Sequence, residues 1–313
     1  DLLAAHNIAC KIDDKRNVGK PIVATFKGEP YSNQKDAIEA LSTHTNGVLN
    51  GTTAFGKTVT AIALIAKLKV NTLILVHTKA LLDQWQKKLT EFLDLEYEEP
   101  ERKGRGRKKV FSPFGTLDSR GNSLHGQVDI ALMQSCIDGD DVKPFLCDYG
   151  MVIVDECHHA PAFSFEQILK QVNAKYVYGM TATPIRKDGH QPIIFMQCGP
   201  IRYSADAKTQ KAVQTFNRIL IPRFTSYRHF EEKATFAQMT PKMAEDNLRN
   251  EMIVKDVVEA LEDGRSPIVL TSLTAHVSIL ADLLKPHCKN VITLVGSEST
   301  KEKREKMELL SSI

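Results

Sequence analysis

The sequence predicts an α/β fold: a parallel sheet with helices on both faces, organised around a phosphate-binding loop. Three observations predict it. Gly51-Thr52-Thr53-Ala54-Phe55-Gly56-Lys57-Thr58 places a Gly, four residues and then Gly-Lys-Thr. Short, continuous apolar runs recur through the first 220 residues, as in strands buried on both faces. Segments with helical periodicity alternate with those runs, which suits crossover connections between parallel strands.

The elements follow in order. Gly47-Val48-Leu49-Asn50 reads as a strand entering the loop, and Val59 to Leu68 as an apolar helix leaving it. Strand, loop and helix are the context the spacing requires. In that context backbone N–H groups cradle the α/β-phosphates of a nucleotide and Lys57 reaches the β/γ-phosphates. The Thr58 hydroxyl ligates Mg²⁺, and the helix turns its positive end toward the same anion. Thr72-Leu73-Ile74-Leu75-Val76-His77 is the next buried strand. Leu82, Trp85, Leu89 and Phe92 define one face of a helix, with Asp83, Gln84, Gln86, Lys87 and Lys88 outside it. Further strands are expected at Val128–Leu132, Met151–Asp155 and Lys175–Gly179, with a helical stretch at Phe163–Val172.

Met151-Val152-Ile153-Val154 delivers Asp155 and Glu156 at a strand's C-terminal end, where open α/β sheets bind ligands. Beside a phosphate loop, the first acid can hold Mg²⁺ through water and the second can orient and deprotonate an attacking water. Alone, two acids could merely cap the strand. The loop about 100 residues upstream makes the pair a candidate site.

The domain reading has three parts: 1–221 as the first domain, 222–250 as a polar linker holding Pro222 and Pro241, and 251–313 as part of a second α/β unit. In the last, Ile253, Val257, Val258 and Leu261 make a helical face ending at Gly264. Ile268–Thr271 and Val291–Val295 read as strands around a helix at Ala275–Leu284.

Composition sets broad limits. The 313 residues are 42% hydrophobic and 25% charged, with a net charge of +3. That excludes a strongly basic nucleic-acid coat but not a basic groove on one face. No apolar run approaches the roughly 18 residues that a membrane span needs. Asp1 to His6 is soon followed by Lys11, Asp13, Asp14, Lys15 and Arg16, unlike a signal peptide, and the absent initiator Met suggests a trimmed chain. Cys10, Cys136, Cys147, Cys157, Cys198 and Cys288 form no C-x-x-C pair and read as reduced thiols of a cytoplasmic protein. A zinc site at Cys157-His158-His159 is not favoured, because adjacent ligand types rarely converge on one ion. Glu96, Glu98, Glu99 and Glu101 precede a basic cluster from Arg102 to Lys109. A solvated loop and a phosphate-contacting arm are both open readings of that block.

Asp155-Glu156-Cys157-His158 resembles the D-E-x-H box of superfamily-two helicases and translocases, and Gly179-Met180-Thr181-Ala182-Thr183-Pro184 resembles their third motif. Val76 to Trp85 is similar to the segment after their second strand, Gln134-Ser135 to a further nucleic-acid-facing motif, and Pro30-Tyr31-Ser32-Asn33-Gln34 to their adenine-recognition segment. The nearest branch looks like restriction subunits and DNA-repair helicases. The resemblance covers about residues 25–190 and implies a RecA-like domain that uses ATP and Mg²⁺ and takes nucleic acid, DNA in particular, as partner. It implies that Lys57 and Thr58 serve the phosphates and metal, Asp155 the metal and Glu156 the water. It also implies that Gln34 reads adenine and that His158 bridges the nucleotide to the third motif. Thr78, Lys79, Gln134, Ser135, Thr181 and Thr183 would face or sense the nucleic acid. Plainer roles stay open: a surface helix position for Gln34, turn capping for the two threonines and a backbone contact for His158.

Ala54 departs from the family's usual Gly, so the loop is expected to avoid positive φ there. Only the first segment of a second RecA-like domain, Val269 to Thr274, is recognised, and no late arginine motif follows. The chain is therefore expected to be a fragment that binds ATP yet hydrolyses it weakly, with further domains or subunits beyond it. The full-length activity implied is an ATP-dependent DNA helicase. A duplex translocase without strand separation is the alternative, and a small-molecule P-loop kinase a distant one.

Overall fold

The computed structural model describes His6 and residues 13–52, 54–97, 112–139, 141–157, 162–183, 191–205, 219–228 and 235–312. The chain divides into two compact units, Asp1–Asn217 and Arg218–Ile313.

In the first unit the strands are β1 (Ala24–Phe26), β2 (Asn46–Asn50), β3 (Thr72–Val76), β4 (Leu93–Leu95), β5 (Gly115–Asp118), β6 (Gly121–Asn122), β7 (Val128–Leu132), β8 (Ile137–Asp138), β9 (Asp141–Val142), β10 (Met151–Val154), β11 (Tyr176–Thr181) and β12 (Ile201–Ser204). The helices are α1 (Ser32–Ser42), α2 (Lys57–Leu68), α3 (Lys79–Phe92), α4 (Ala162–Gln171) and α5 (Gln191–Cys198). Eight strands form one sheet in the order β12-β2-β11-β10-β3-β7-β5-β6. Every pairing in it is parallel except the edge hairpin β5–β6. The strands expected around residues 46–50, 72–77, 128–132, 151–155 and 175–179 all form. Their neighbours β5, β6 and β12 lie at the sheet's margins, where the apolar pattern is weaker.

Alternate residues of each central strand face opposite layers. Ile74, Val76, Ile153 and Met180 pack with α1, α2 and α3, whereas Leu73, Leu75, Val152 and Val154 pack with α4 and α5. This two-sided burial is why β3 and β10 have no exposed residue. It also explains α2, whose residues from Thr60 to Ala66 are all buried. Lys69 ends that helix in a left-handed conformation, its N–H bonded to the Ile65 carbonyl.

Two buried polar side chains, silent in the apolar pattern, clamp the margins of this sheet. Asp129, fully buried in β7, accepts from the N–H groups of Gly115 at 3.0 Å and Gly126 at 2.6 Å, and from the Tyr149 hydroxyl at 2.6 Å. Asn71 accepts from the N–H groups of Lys20 and Gly150 and donates to the carbonyls of Gly126 and Asp148. Buried polar groups require such partners.

The second unit contains α6 (Phe236–Ala244), α7 (Asn247–Glu262), α8 (Thr274–Leu284) and α9 (Thr300–Ser311). Residues 222–250, read as a linker, thus contain α6 and the start of α7. Asp246 caps α7 by accepting from the Arg249 N–H at 2.7 Å, and Pro241 sits inside α6. The strands expected at 268–271 and 291–295 do not form; both segments lie outside any sheet. A strand needs a ladder partner as well as an apolar sequence. Here Ile268 and Leu270 are 85% and 90% exposed. The helix expected at 275–284 does form, and the His276 ring bridges α8 to Asn250 of α7 at 2.9 Å.

Among the described residues, no helix is long and apolar enough to cross a membrane.

Candidate nucleotide site

The sheet order decides how the motifs meet. β2, β11, β10, β3 and β7 lie side by side and parallel, so their C-terminal ends form one row. Along it stand the loop from Gly51, then Thr181–Thr183, then Asp155-Glu156, then Thr78-Lys79, then Gln134-Ser135. Segments far apart in sequence become neighbours at one edge.

Backbone bonds lock the first three together. The Gly51 N–H donates to the Thr181 carbonyl at 2.9 Å, and the Cys157 N–H to the Met180 carbonyl at 3.1 Å. The end of β11 therefore holds both the phosphate loop and the acidic turn. The buried Thr181 hydroxyl donates to the Thr183 carbonyl at 3.0 Å and accepts from the Thr183 N–H at 3.1 Å. This is turn capping, and it leaves Thr183 exposed at the rim.

Lys57 and Glu156 meet across that framework. The Lys57 ammonium donates to the Gly51 carbonyl at 3.2 Å and pairs with Glu156 Oε1 at 3.3 Å. Glu156 makes this contact from a backbone with a left-handed φ of 46°. A non-glycine residue held there marks strain, which concentrates at functional sites.

The loop itself corrects one expectation. Ala54 has φ of 76° and Gly56 has φ of 85°, so the loop does not avoid positive φ at Ala54. The loop turns through left-handed residues on both sides of Phe55, and Ala54 is exposed, so no neighbouring element packs against its methyl. The left-handed region costs a non-glycine residue about 1–2 kcal/mol, partly offset by the entropy glycine would lose on folding. Ala54→Gly should therefore raise the thermal midpoint by about 1–3 °C. A lower midpoint in differential scanning calorimetry would show that the loop is unstrained.

Gln34 is buried rather than on a helix surface. As the third residue of α1 it accepts through its side chain from the Tyr31 N–H at 3.0 Å, while its own N–H donates to the Tyr31 carbonyl at 2.9 Å. Its amide nitrogen donates to the Phe55 carbonyl at 3.0 Å. A Cβ on Gly56 would lie 2.3 Å from that nitrogen, so a side chain there would displace the Gln34 amide from the Phe55 carbonyl, and the φ of 85° favours glycine independently. Gln34 thus fastens the start of α1 to the Gly51–Thr58 loop.

Asp155 is only 4% exposed. Its Oδ2 accepts from the Trp85 indole N–H at 2.8 Å and its Oδ1 from the Glu156 N–H at 3.0 Å. Burial pushes the Asp155 carboxyl above the usual carboxylate range, with the Trp85 hydrogen bond and the Lys57 charge pulling the other way. A buried acid under that strain fits a divalent cation, whose charge would restore the ionised form. Mg²⁺ prefers oxygen ligands and keeps several waters. Asp155 and the Thr58 hydroxyl, with nucleotide phosphates, would offer such oxygens, whereas no cluster of three or more His, Cys, Asp or Glu gathers among the described residues.

Toward the far end of the row, Thr78 caps α3 by accepting from the Leu81 N–H at 3.3 Å, and Lys79 is exposed beside it. Gln134 donates to the His77 carbonyl at 3.1 Å, joining the ends of β3 and β7. Thr53, His158, Pro184 and the charged block from Glu98 to Lys109 lie outside the described residues. Trp85, expected on an apolar helix face and at the end of the Val76–Trp85 segment, is a site residue whose bond to Asp155 sequence reasoning missed. The signal was available, since an indole N–H on a buried face needs an acceptor.

A phosphate loop locked against an acid-bearing strand in a parallel sheet defines the class: a P-loop nucleotide-binding protein. The family model described as "Type III restriction enzyme, res subunit" matches residues 27–186, and the chain belongs to that family. "Putative helicase 109L" of Invertebrate iridescent virus 3 is 32% identical over 192 residues, covering 58% of this chain and 53% of that protein. "Putative helicase 161L" of Invertebrate iridescent virus 6 is 25% identical over 279 residues, covering 88% and 60%. "DNA 3'-5' translocase XPB2" of Sulfurisphaera tokodaii is 28% identical over 170 residues, covering 54% and 34%. The chain thus spans little more than half the length of the first two relatives.

Proposed function

We propose that this chain is the ATP-binding portion of a DNA helicase that couples ATP hydrolysis to strand separation. The observation that carries the reading is the Lys57–Glu156 pair at 3.3 Å, which unites the phosphate loop with the acid turn in one site. Lys57 would exchange its contacts with Gly51 and Glu156 for the β/γ-phosphates. Glu156, released from the lysine, would orient the attacking water and accept its proton. Asp155 and Thr58 would hold Mg²⁺, which supplies charge neutralisation at the transferring phosphoryl group. The β11 turn, bonded to both motifs, would pass nucleotide state toward Thr183. Thr78, Lys79, Gln134 and Ser135 would meet the nucleic acid farther along the row, and Gln34 would read the adenine. Residues 1–221 would act as one domain and 251–313 would belong to a second.

ATP turnover by the full-length protein, measured with and without duplex and single-stranded DNA, tests the reading. It should rise with DNA, and single-turnover assays should show a displaced strand. Triplex displacement without strand separation would instead support a duplex translocase. Turnover indifferent to nucleic acid but dependent on a small acceptor would support a kinase.

A further inference from the structure

We infer that Trp85 is a positioning residue for Asp155: its indole fixes the carboxylate that takes up the nucleotide's cation. The inference rests on the reading of Asp155 as the cation-holding acid.

Trp85 lies on α3, two helical turns beyond the capping Thr78. It is fully buried, and its N–H points at Asp155 Oδ2 over 2.8 Å. Asp155 Oδ1 is held separately by the Glu156 N–H at 3.0 Å. Each carboxylate oxygen therefore has one fixed donor, and the two bonds together set the plane of the group. A carboxylate oxygen has a second lone pair, so both contacts leave room for a metal-bound water. The indole is itself held by its helix, since Leu82 and Leu89 are fully buried on the same face. A bond to a buried charged acceptor is among the stronger hydrogen bonds in proteins, and it is directional. Phenylalanine would keep most of the apolar contact but would not aim the carboxylate.

Trp85 is the chain's single tryptophan, so its fluorescence reports on this contact without labelling. Mg²⁺–ADP should change the emission of the wild-type protein in a saturable way, and ADP in excess chelator should change it much less. In Trp85→Phe, affinity for a fluorescently labelled ADP should fall about ten-fold in Mg²⁺ while staying unchanged in chelator. Asp155→Asn, which keeps the tryptophan, should bind labelled ADP in chelator at least as tightly as the wild type, since one carboxylate facing the phosphates is gone, and should lose the Mg²⁺-dependent emission change. These results would support the positioning role. Equal weakening of Trp85→Phe with and without Mg²⁺, or no weakening at all, would reduce Trp85 to a packing residue. So would wild-type emission that ignores a Mg²⁺–ADP complex shown to bind by the labelled nucleotide. Absence of any ADP binding by the wild type, with or without Mg²⁺, would instead overturn the nucleotide-site reading and this inference with it.

Discussion

Glu156→Gln should lower ATP turnover by about 10²–10⁴-fold, the contribution typical of a positioned general base, while nucleotide affinity stays the same or rises. The two halves of this expectation have separate causes. Loss of turnover follows from removing the proton acceptor while keeping the side chain's size. Gain of affinity follows from the geometry without nucleotide. Glu156 Oε1 occupies the Lys57 ammonium at 3.3 Å, and that ammonium must turn to the phosphates on binding. Glutamine competes for the lysine with far less electrostatic force and no longer repels the incoming phosphates. Steady-state hydrolysis by the full-length protein and equilibrium titration with a labelled nucleotide would measure the two quantities. A variant that turned over at the wild-type rate would remove Glu156 from the mechanism. Reduced affinity would mean that Glu156 supports the loop rather than holding Lys57 in reserve.

Lys57→Ala should weaken nucleotide binding by about 10–100-fold, equivalent to roughly 1.5–3 kcal/mol for a lost hydrogen bond to a charged group. The upper end is expected because the substitution also leaves the Glu156 carboxylate without the cation it faces. The double variant Lys57→Ala, Glu156→Gln should then recover part of the loss, since the two side chains are in contact and their effects are not additive. Strict additivity in a labelled-nucleotide titration would place Glu156 too far from the bound phosphates to matter. Unaltered affinity in Lys57→Ala would mean the loop does not hold the nucleotide by this lysine.

Much of this site was legible because its residue types have few other reasons to occur in that spacing. Gly51, Gly56, Lys57 and the acids after an apolar strand declare a chemistry before any contact is known. The central strands were equally legible, since burial on both faces leaves an uninterrupted apolar run. Relations set by tertiary contact were not. Nothing local to Trp85 says that its N–H ends on Asp155, seventy residues away. Nothing local to Gln34 says that a capping glutamine also holds the Phe55 carbonyl, and nothing in Asp129 distinguishes a fully bonded buried carboxylate from a surface one. The positive φ at Ala54 runs against alanine's intrinsic preference, so it is not legible from residue type. At Ile268–Leu270 the sequence is apolar and strand-like, yet a ladder also requires a pairing strand, which residue type does not reveal.

The Gly51–Thr58 loop and the Asp155–Glu156 turn are expected to form one nucleotide site. Calorimetric titration of Mg²⁺–ADP into the wild-type chain tests it most directly. One saturable binding event per chain is predicted, displaced by ATP and weakened both by Lys57→Ala and, in Mg²⁺ only, by Asp155→Asn. Binding that is absent, or that is indifferent to both substitutions, would contradict it.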